Sequence, residues 1–136
     1  MKKILVAIDG SDASMHAART AATLAKGLNA EVTLAHIVPP TFVPPEVPFG
    51  VQPWTDEAIK AGERLLEAAA KEVGLTCERQ NLIGSPAERL ADLADQGGFD
   101  LVVVGSKGRG AVSRVLIGSV TDRLVHICKR PILVVR

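Results

Sequence analysis

The sequence predicts an α/β fold, a doubly wound five-stranded parallel sheet with helices on both faces in three layers. Three observations predict it. Short apolar runs alternate with amphipathic stretches along the whole chain. The clearest runs, residues 4–8 and 101–104, are apolar at every position, as strands buried on both faces of a parallel sheet are. Turn and capping residues punctuate each change of period. The expected strand order is 3-2-1-4-5, with right-handed crossovers.

Each element follows in order. Ile4-Leu5-Val6-Ala7-Ile8 reads as the first strand, and Asp9-Gly10-Ser11-Asp12 as the turn after it. Ala18, Ala21, Ala22, Ala25 and Leu28 recur at helical spacing, so a helix is expected from about Asp12 to Leu28, stopped by Gly27-Leu28-Asn29. Residues 32–38 read as the second strand. A helix from about Thr55 to Val73 carries Ile59, Gly62, Leu66, Ala69 and Val73 on one face and ends at Gly74. Cys77 to Ile83 is a more polar strand, expected at an edge. Ser85, Pro86 and Glu88 read as a capping box with proline at the first helical position. Residues 101–104 form the fourth strand. The last helix is expected over about Gly118 to Cys128, with Val120, Leu124 and Ile127 inward. Pro131 stops it before a final strand, residues 132–135.

The chain has 136 residues, which fits one domain and buries enough surface to need no disulfide or metal staple. Aromatics are scarce at 3%, so Val, Ile, Leu and Ala must build the core. The two cysteines, Cys77 and Cys128, lack metal-ligand spacing and read as reduced thiols, with a redox role as the alternative. The apolar run behind Lys2 and Lys3 is too short for a secretory signal, and no run spans a bilayer, so a cytoplasmic protein without membrane attachment is expected.

Net charge is +1, but residues 105–130 hold six basic side chains against Asp122 alone. A local basic patch on a near-neutral chain suits a compact anionic ligand better than a nucleic acid. One segment breaks the rhythm. Residues 39–53 contain six of the eight prolines, together with Phe42 and Phe49. This stretch reads as a surface insertion, as a flap over the ligand site, or as a proline-rich docking segment.

The stretch that carries chemistry is Val104-Gly105-Ser106-Lys107-Gly108-Arg109-Gly110, followed by Gly118-Ser119. Glycine permits positive φ and leaves no Cβ in the way of a ligand. Successive backbone N–H groups in such a loop can cradle phosphate oxygens. Gly118-Ser119 opens a helix whose N-terminal N–H groups and dipole favour an anion. Neither common nucleotide signature is present, and a glycine loop after a strand also serves packing alone.

The spacing is more specific. Gly105, two residues, Gly108, nine residues and Gly118-Ser119 resemble the glycine signature of the ATP-binding universal stress proteins. Residues 4–11 resemble that family's first strand and turn, and residues 118–121 with 129–135 its last helix and strand. The resemblance implies that Gly105, Gly108, Gly118 and Ser119 bind phosphate and that Asp9 lies near adenine and ribose. It implies that Ala7 and Val104 flank the nucleoside and that Ile37 forms an apolar wall under adenine. Val120 is expected to offer its backbone N–H. Ser106, Lys107 and Arg109 complete the expected loop, although the motif does not require the two cations. Asp9 also fits a helix-capping role, as does Ser119, and His36 reads as a structural histidine.

No catalytic constellation stands out, because phosphoryl transfer needs metal-holding carboxylates and only Asp9 is expected near the loop. Asp100 precedes its strand and belongs at the opposite end of the sheet. The expected function is an adenine-nucleotide module that binds ATP with Mg²⁺ and turns it over slowly or not at all. A weak ATPase or autophosphorylating enzyme, with Ser106, Ser113 or Ser119 as acceptor, stays open, as does a nucleotide-free interaction protein. The segment 132–135 is expected at a sheet edge, where pairing with its own copy would make a homodimer. The resemblance implies the same, and a covered edge would leave a monomer.

Overall fold

The computed structural model describes residues 1–40, 44–46, 50, 54–108 and 116–136. Most of the expected flap, with Phe42 and Phe49, lies outside the described residues, as do Arg109, Gly110, Ser113 and Arg114. The elements run β1 (Lys3–Ala7), α1 (Asp12–Leu28), β2 (Glu31–Val38), α2 (Asp56–Val73), β3 (Glu78–Ile83), α3 (Pro86–Gln96), β4 (Leu101–Gly105), α4 (Ser119–Ile127) and β5 (Ile132–Val135). All strand pairs are parallel, in the order β3-β2-β1-β4-β5. The expected fold and strand order are both observed.

Alternation along the strands divides the core. Ile4, Val6, Leu34 and Val103 pack with Ala17, Ala21 and Ala25 of α1 and Leu66 and Ala69 of α2. Leu5, Ala35, Val102 and Val104 face the other way, onto Ala87 and Leu90 of α3 and Leu124 of α4. Each strand residue therefore belongs to one layer or the other, as a period of two requires.

Several local expectations are corrected. The left-handed residue after α1 is Asn29, at φ 53°, while Gly27 lies inside the helix and Leu28 is exposed. Ser85 caps α3 without a side-chain hydrogen bond, and the Glu88 carboxylate meets Arg123 Nε at 3.0 Å, so the capping box does not form. Cys77 stands just outside β3. On α4 Leu124 and Ile127 pack on the core as expected, joined by the buried Thr121, while Val120 is exposed. No helix among the described residues is long and apolar enough to cross a membrane.

Strand order fixes the two ends of the sheet. From β1 the chain winds outward through β2 and β3, then returns to the other side of β1 for β4. A crevice therefore opens at the carboxyl ends of β1 and β4, where such folds hold ligands. Asp100 sits at the opposite end, as expected. Its Oδ2 accepts from the backbone N–H groups of Lys2, at 2.8 Å, and Lys3, at 3.0 Å. The Lys2 N–H first and the Lys3 N–H second hold the Asp100 carboxyl below the usual carboxylate range.

A depressed folded value means the contribution is complete above the unfolded carboxyl's titration and is lost as pH falls through the folded one. Asp100→Asn is therefore expected to lower the denaturation midpoint at neutral pH. The gap to wild type should close below about pH 4. Denaturant titrations across pH check this, and a pH-independent gap would exclude the charge as its source.

Candidate functional site

A cavity of about 450 Å³ occupies the crevice between the ends of β1 and β4, within the size range of small-ligand sites. Its walls divide by chemistry. Ala7, Ile37, Pro39, Leu90 and Val104 make an apolar side, and Asp9, Lys107, Gly108, Ser119 and Thr121 make a polar one. Of the residues expected in the site, Ala7, Asp9, Ile37, Val104, Gly105, Lys107, Gly108, Gly118, Ser119 and Val120 all line this cavity. Arg109 lies outside the described residues. Ser106 is buried and lines an adjoining groove instead, so its side chain is not brought to the cavity.

Backbone bonds pin both ends of the glycine loop. Ser106 N–H donates to the Val135 carbonyl at 2.7 Å, and the Ser106 carbonyl accepts from Gly118 N–H at 2.6 Å. The Thr121 hydroxyl, buried, donates to the Gly105 carbonyl at 2.7 Å and ties the first turn of α4 to the end of β4. Gly118 is the N-cap of α4, and its own N–H is taken by Ser106. Helix geometry leaves the next N–H groups, on Ser119, Val120 and Thr121, without intrahelical acceptors.

The glycines work through their missing Cβ rather than through positive φ, which none of the three adopts. A Cβ on Gly105 would lie 2.7 Å from the Ala13 carbonyl carbon and 2.8 Å from Ser14 N. A Cβ on Gly118 would meet Gly108 N at 3.1 Å and Lys107 Cα at 3.3 Å. Gly105 and Gly118 are thus demanded by packing, one against α1 and the other within the loop. Gly108 differs. Among the described residues its Cβ would meet only Asp9 Oδ2, at 3.0 Å, so this position faces a side chain across the polar wall.

Asp9 has two tasks. Its Oδ1 accepts from Ser11 N–H at 2.9 Å and from the Ser11 hydroxyl at 2.5 Å. Ser11 in turn is the N-cap of α1, accepting from Ser14 N–H at 3.1 Å. Asp9 therefore braces the cap rather than forming it, and its second oxygen faces Gly108. His36 donates from Nδ1 to the Ile8 carbonyl at 2.7 Å. Among the described residues no three His, Cys, Asp or Glu side chains cluster to hold a metal ion.

Pro39 opens the segment expected as a flap and does line the cavity, as does His36, expected only as a structural histidine; sequence reasoning passed over Pro86, Leu90 and Thr121. Their signal was position. Pro86 and Leu90 are one turn apart at the start of α3, and Thr121 lies in the first turn of α4, both at the carboxyl end of the sheet.

The sequence model of the universal stress protein family matches residues 1–136. A universal stress protein of Methanocaldococcus jannaschii is 34% identical over 142 residues, covering 99% of this chain and 82% of its own length. The universal stress protein YxiE of Bacillus subtilis is 33% identical over 145 residues, covering 98% of each chain. Among solved structures, a universal stress protein in complex with cAMP is similar at a TM-score of 0.76 and 27% identity, over 99% of this chain and 97% of that one.

The packing roles of the glycines lead to a test. Gly105→Ala is expected to destabilise the fold by roughly 1–3 kcal/mol through overpacking against the α1 backbone. Urea denaturation measures this, and unchanged stability would mean that α1 yields freely at its first turn.

Proposed function

The chain belongs to the universal stress protein family, and on that premise we propose that it binds an adenine nucleotide, ATP with Mg²⁺, in the cavity between β1 and β4. The observation that carries the reading is the division of that cavity. Ala7, Ile37, Leu90 and Val104 supply apolar lining from one core cluster, and Lys107, Gly108 and the N-terminus of α4 supply polar lining. The cAMP complex of a relative similar in fold and sequence supports the same ligand class.

In this reading Ala7, Ile37 and Val104, joined by Pro39 and Leu90, pack against adenine. Asp9 uses the oxygen facing Gly108 to accept from ribose. Phosphate oxygens lie along Gly108 and the first N–H groups of α4, on Ser119 and Val120, with Lys107 beside them and Arg109 following in the loop. Gly105 and Gly118 shape the cradle without donating to it. The Mg²⁺ ion neutralises phosphate charge when bound, and it is held chiefly by phosphate and water oxygens, with Asp9 as the one carboxylate lining the cavity. One carboxylate is too few for the metal-holding and nucleophile-orienting roles of phosphoryl transfer. We therefore read a stress-response switch or binding module with little or no turnover.

We also propose that the module is a homodimer joined through β5. This strand is the last in the sheet order, and Ile132, Leu133 and Val134 are only half buried. An apolar edge strand with unpaired backbone groups invites antiparallel pairing with its copy. Val134→Lys is expected to shift the protein toward monomer in analytical ultracentrifugation. A wild type that is already monomeric with ATP present would remove β5 as the interface.

Gly108→Val tests the nucleotide site. The branched side chain crowds Asp9 Oδ2 and the phosphate path, yet Gly108 touches no core residue. ATP affinity by calorimetry is expected to fall at least about tenfold, or roughly 1.4 kcal/mol. A folded variant with wild-type affinity would sink the phosphate assignment.

A further inference from the structure

We propose that His36, which itself lines the cavity at the end of β2, aims Asp9 by holding the strand end that carries it. The inference rests on the nucleotide reading and adds a positioning residue to that site. Alternation along β2 sends Ala35 and Ile37 toward α3 and α4, and so turns His36 to the α1 and α2 side with Leu34. From there its Nδ1 lies 2.7 Å from the Ile8 carbonyl. A carbonyl only accepts, so Nδ1 carries the proton whether the ring is neutral or charged.

Ile8 is the residue just past β1, where the paired register with β2 ends at Ala7 and Ala35. Its N–H still donates to the Ala35 carbonyl at 2.8 Å. Its carbonyl, one residue beyond the paired ladder, is held by the imidazole. That carbonyl and the Asp9 N–H share one rigid peptide plane, so fixing it limits the directions in which the Asp9 side chain can leave the backbone to those reached by rotation about its own N–Cα bond. The Asp9 N–H donates to the Ser14 hydroxyl at 3.4 Å. Ser11, on Oδ1, and His36, through the peptide before Asp9, both act on the aim of Asp9.

The imidazole is itself held. Asn81 lies opposite His36 in the β2–β3 register, and its carboxamide donates to the Ile59 carbonyl of α2 at 2.7 Å. One turn along that helix, a Cβ on Gly62 would lie 2.5 Å from His36 Cδ2 and closer still to Asn81 Oδ1. Helix α2 therefore sits on the histidine with no methyl group to spare. Gly62 does not line the cavity, and the first side chains that a methyl group there would meet are Asn81 and His36.

The test needs no ligand for its first arm. The Ser11 amide, held by Asp9 Oδ1 at 2.9 Å, reports the aim of Asp9 by hydrogen exchange. His36→Leu is expected to speed exchange at Ser11 by about tenfold or more, with core amides of β4 unchanged. His36→Asn keeps an N–H at the place of Nδ1 and should restore protection. Gly62→Ala should speed Ser11 exchange in the same direction. In the second arm, the ratio of affinities for AMP and its 2′-deoxy analogue is expected to collapse toward unity in His36→Leu and to recover in His36→Asn. Wild-type Ser11 protection in a folded His36→Leu protein overturns the proposal. So does failure of the asparagine to restore what leucine loses, or a nucleotide ratio untouched by the leucine. If wild type binds neither nucleotide, the nucleotide reading falls, and Ser11 exchange alone still decides the role of His36.

Discussion

Helix α1 runs against the end of β4 with no room for a single methyl group, and the cavity depends on that approach. The space where a Gly105 Cβ would stand belongs to the Ala13 backbone. The helix reaches so close because its buried face is alanine at positions 17, 18, 21, 22 and 25. This close seating brings the N-cap Ser11 beside Asp9 and the Asp9 carboxylate opposite Gly108. Gly105 also offers its carbonyl to the Thr121 hydroxyl and so anchors α4. One residue without a side chain therefore registers two helix N-termini against two strand ends. Displacing it moves both walls of the cavity together.

The arrangement also explains how a near-neutral chain presents an anion site. Net charge is +1, too small to attract phosphate by a general field. The favourable terms are local: Lys107 and the N–H groups at the start of α4 that lack intrahelical acceptors, whose dipole adds to them within the first turn. Gly118 N–H is withdrawn from that set by the Ser106 carbonyl. That bond closes the loop onto the helix, and it holds the remaining donors in fixed directions instead of leaving one more donor mobile. Preorganised donors lose less freedom on binding than a larger, looser set.

Much of this was legible in the sequence because apolar runs and helical periods report burial directly. The fold class and the placing of Asp9 and Gly105 at strand ends follow from it, while the places of Ile37, Val104 and the spaced glycines in the cavity agree with what the family resemblance implied. What was misread depends on contacts between distant residues. Glu88 fits a capping box by spacing, yet Arg123, on a helix 35 residues away, takes its carboxylate. On α4 Leu124 and Ile127 were placed rightly, but Val120 was taken for the inward residue of the first turn in place of Thr121, because a buried threonine looks polar until its carbonyl partner is known. The glycine spacing pointed to the right place for a reason that holds only in part. Gly105 and Gly118 answer to packing, and Gly108 alone faces the polar wall.

The region behind Asp9 carries the clearest departure from ordinary packing. The Asn81 carboxamide oxygen is buried and accepts no hydrogen bond among the described residues, an arrangement that costs about 1–3 kcal/mol relative to a satisfied one. A glycine inside α2 adds roughly 1 kcal/mol relative to alanine. Both defects meet at one point, over the ring of His36. A hydrophobic pair with an ordinary helix residue above it would pack this interface more stably. It would also remove the one N–H that reaches the Ile8 carbonyl beyond the end of the β1–β2 ladder. Local rules are broken where a site demands a geometry that good packing alone does not supply. Here two unfavourable choices, Gly62 and Asn81, surround the side chain that links the far layer of the fold to Asp9. The stability forgone between α2 and the sheet is thus coupled to the direction of a single carboxylate on the opposite side of β2.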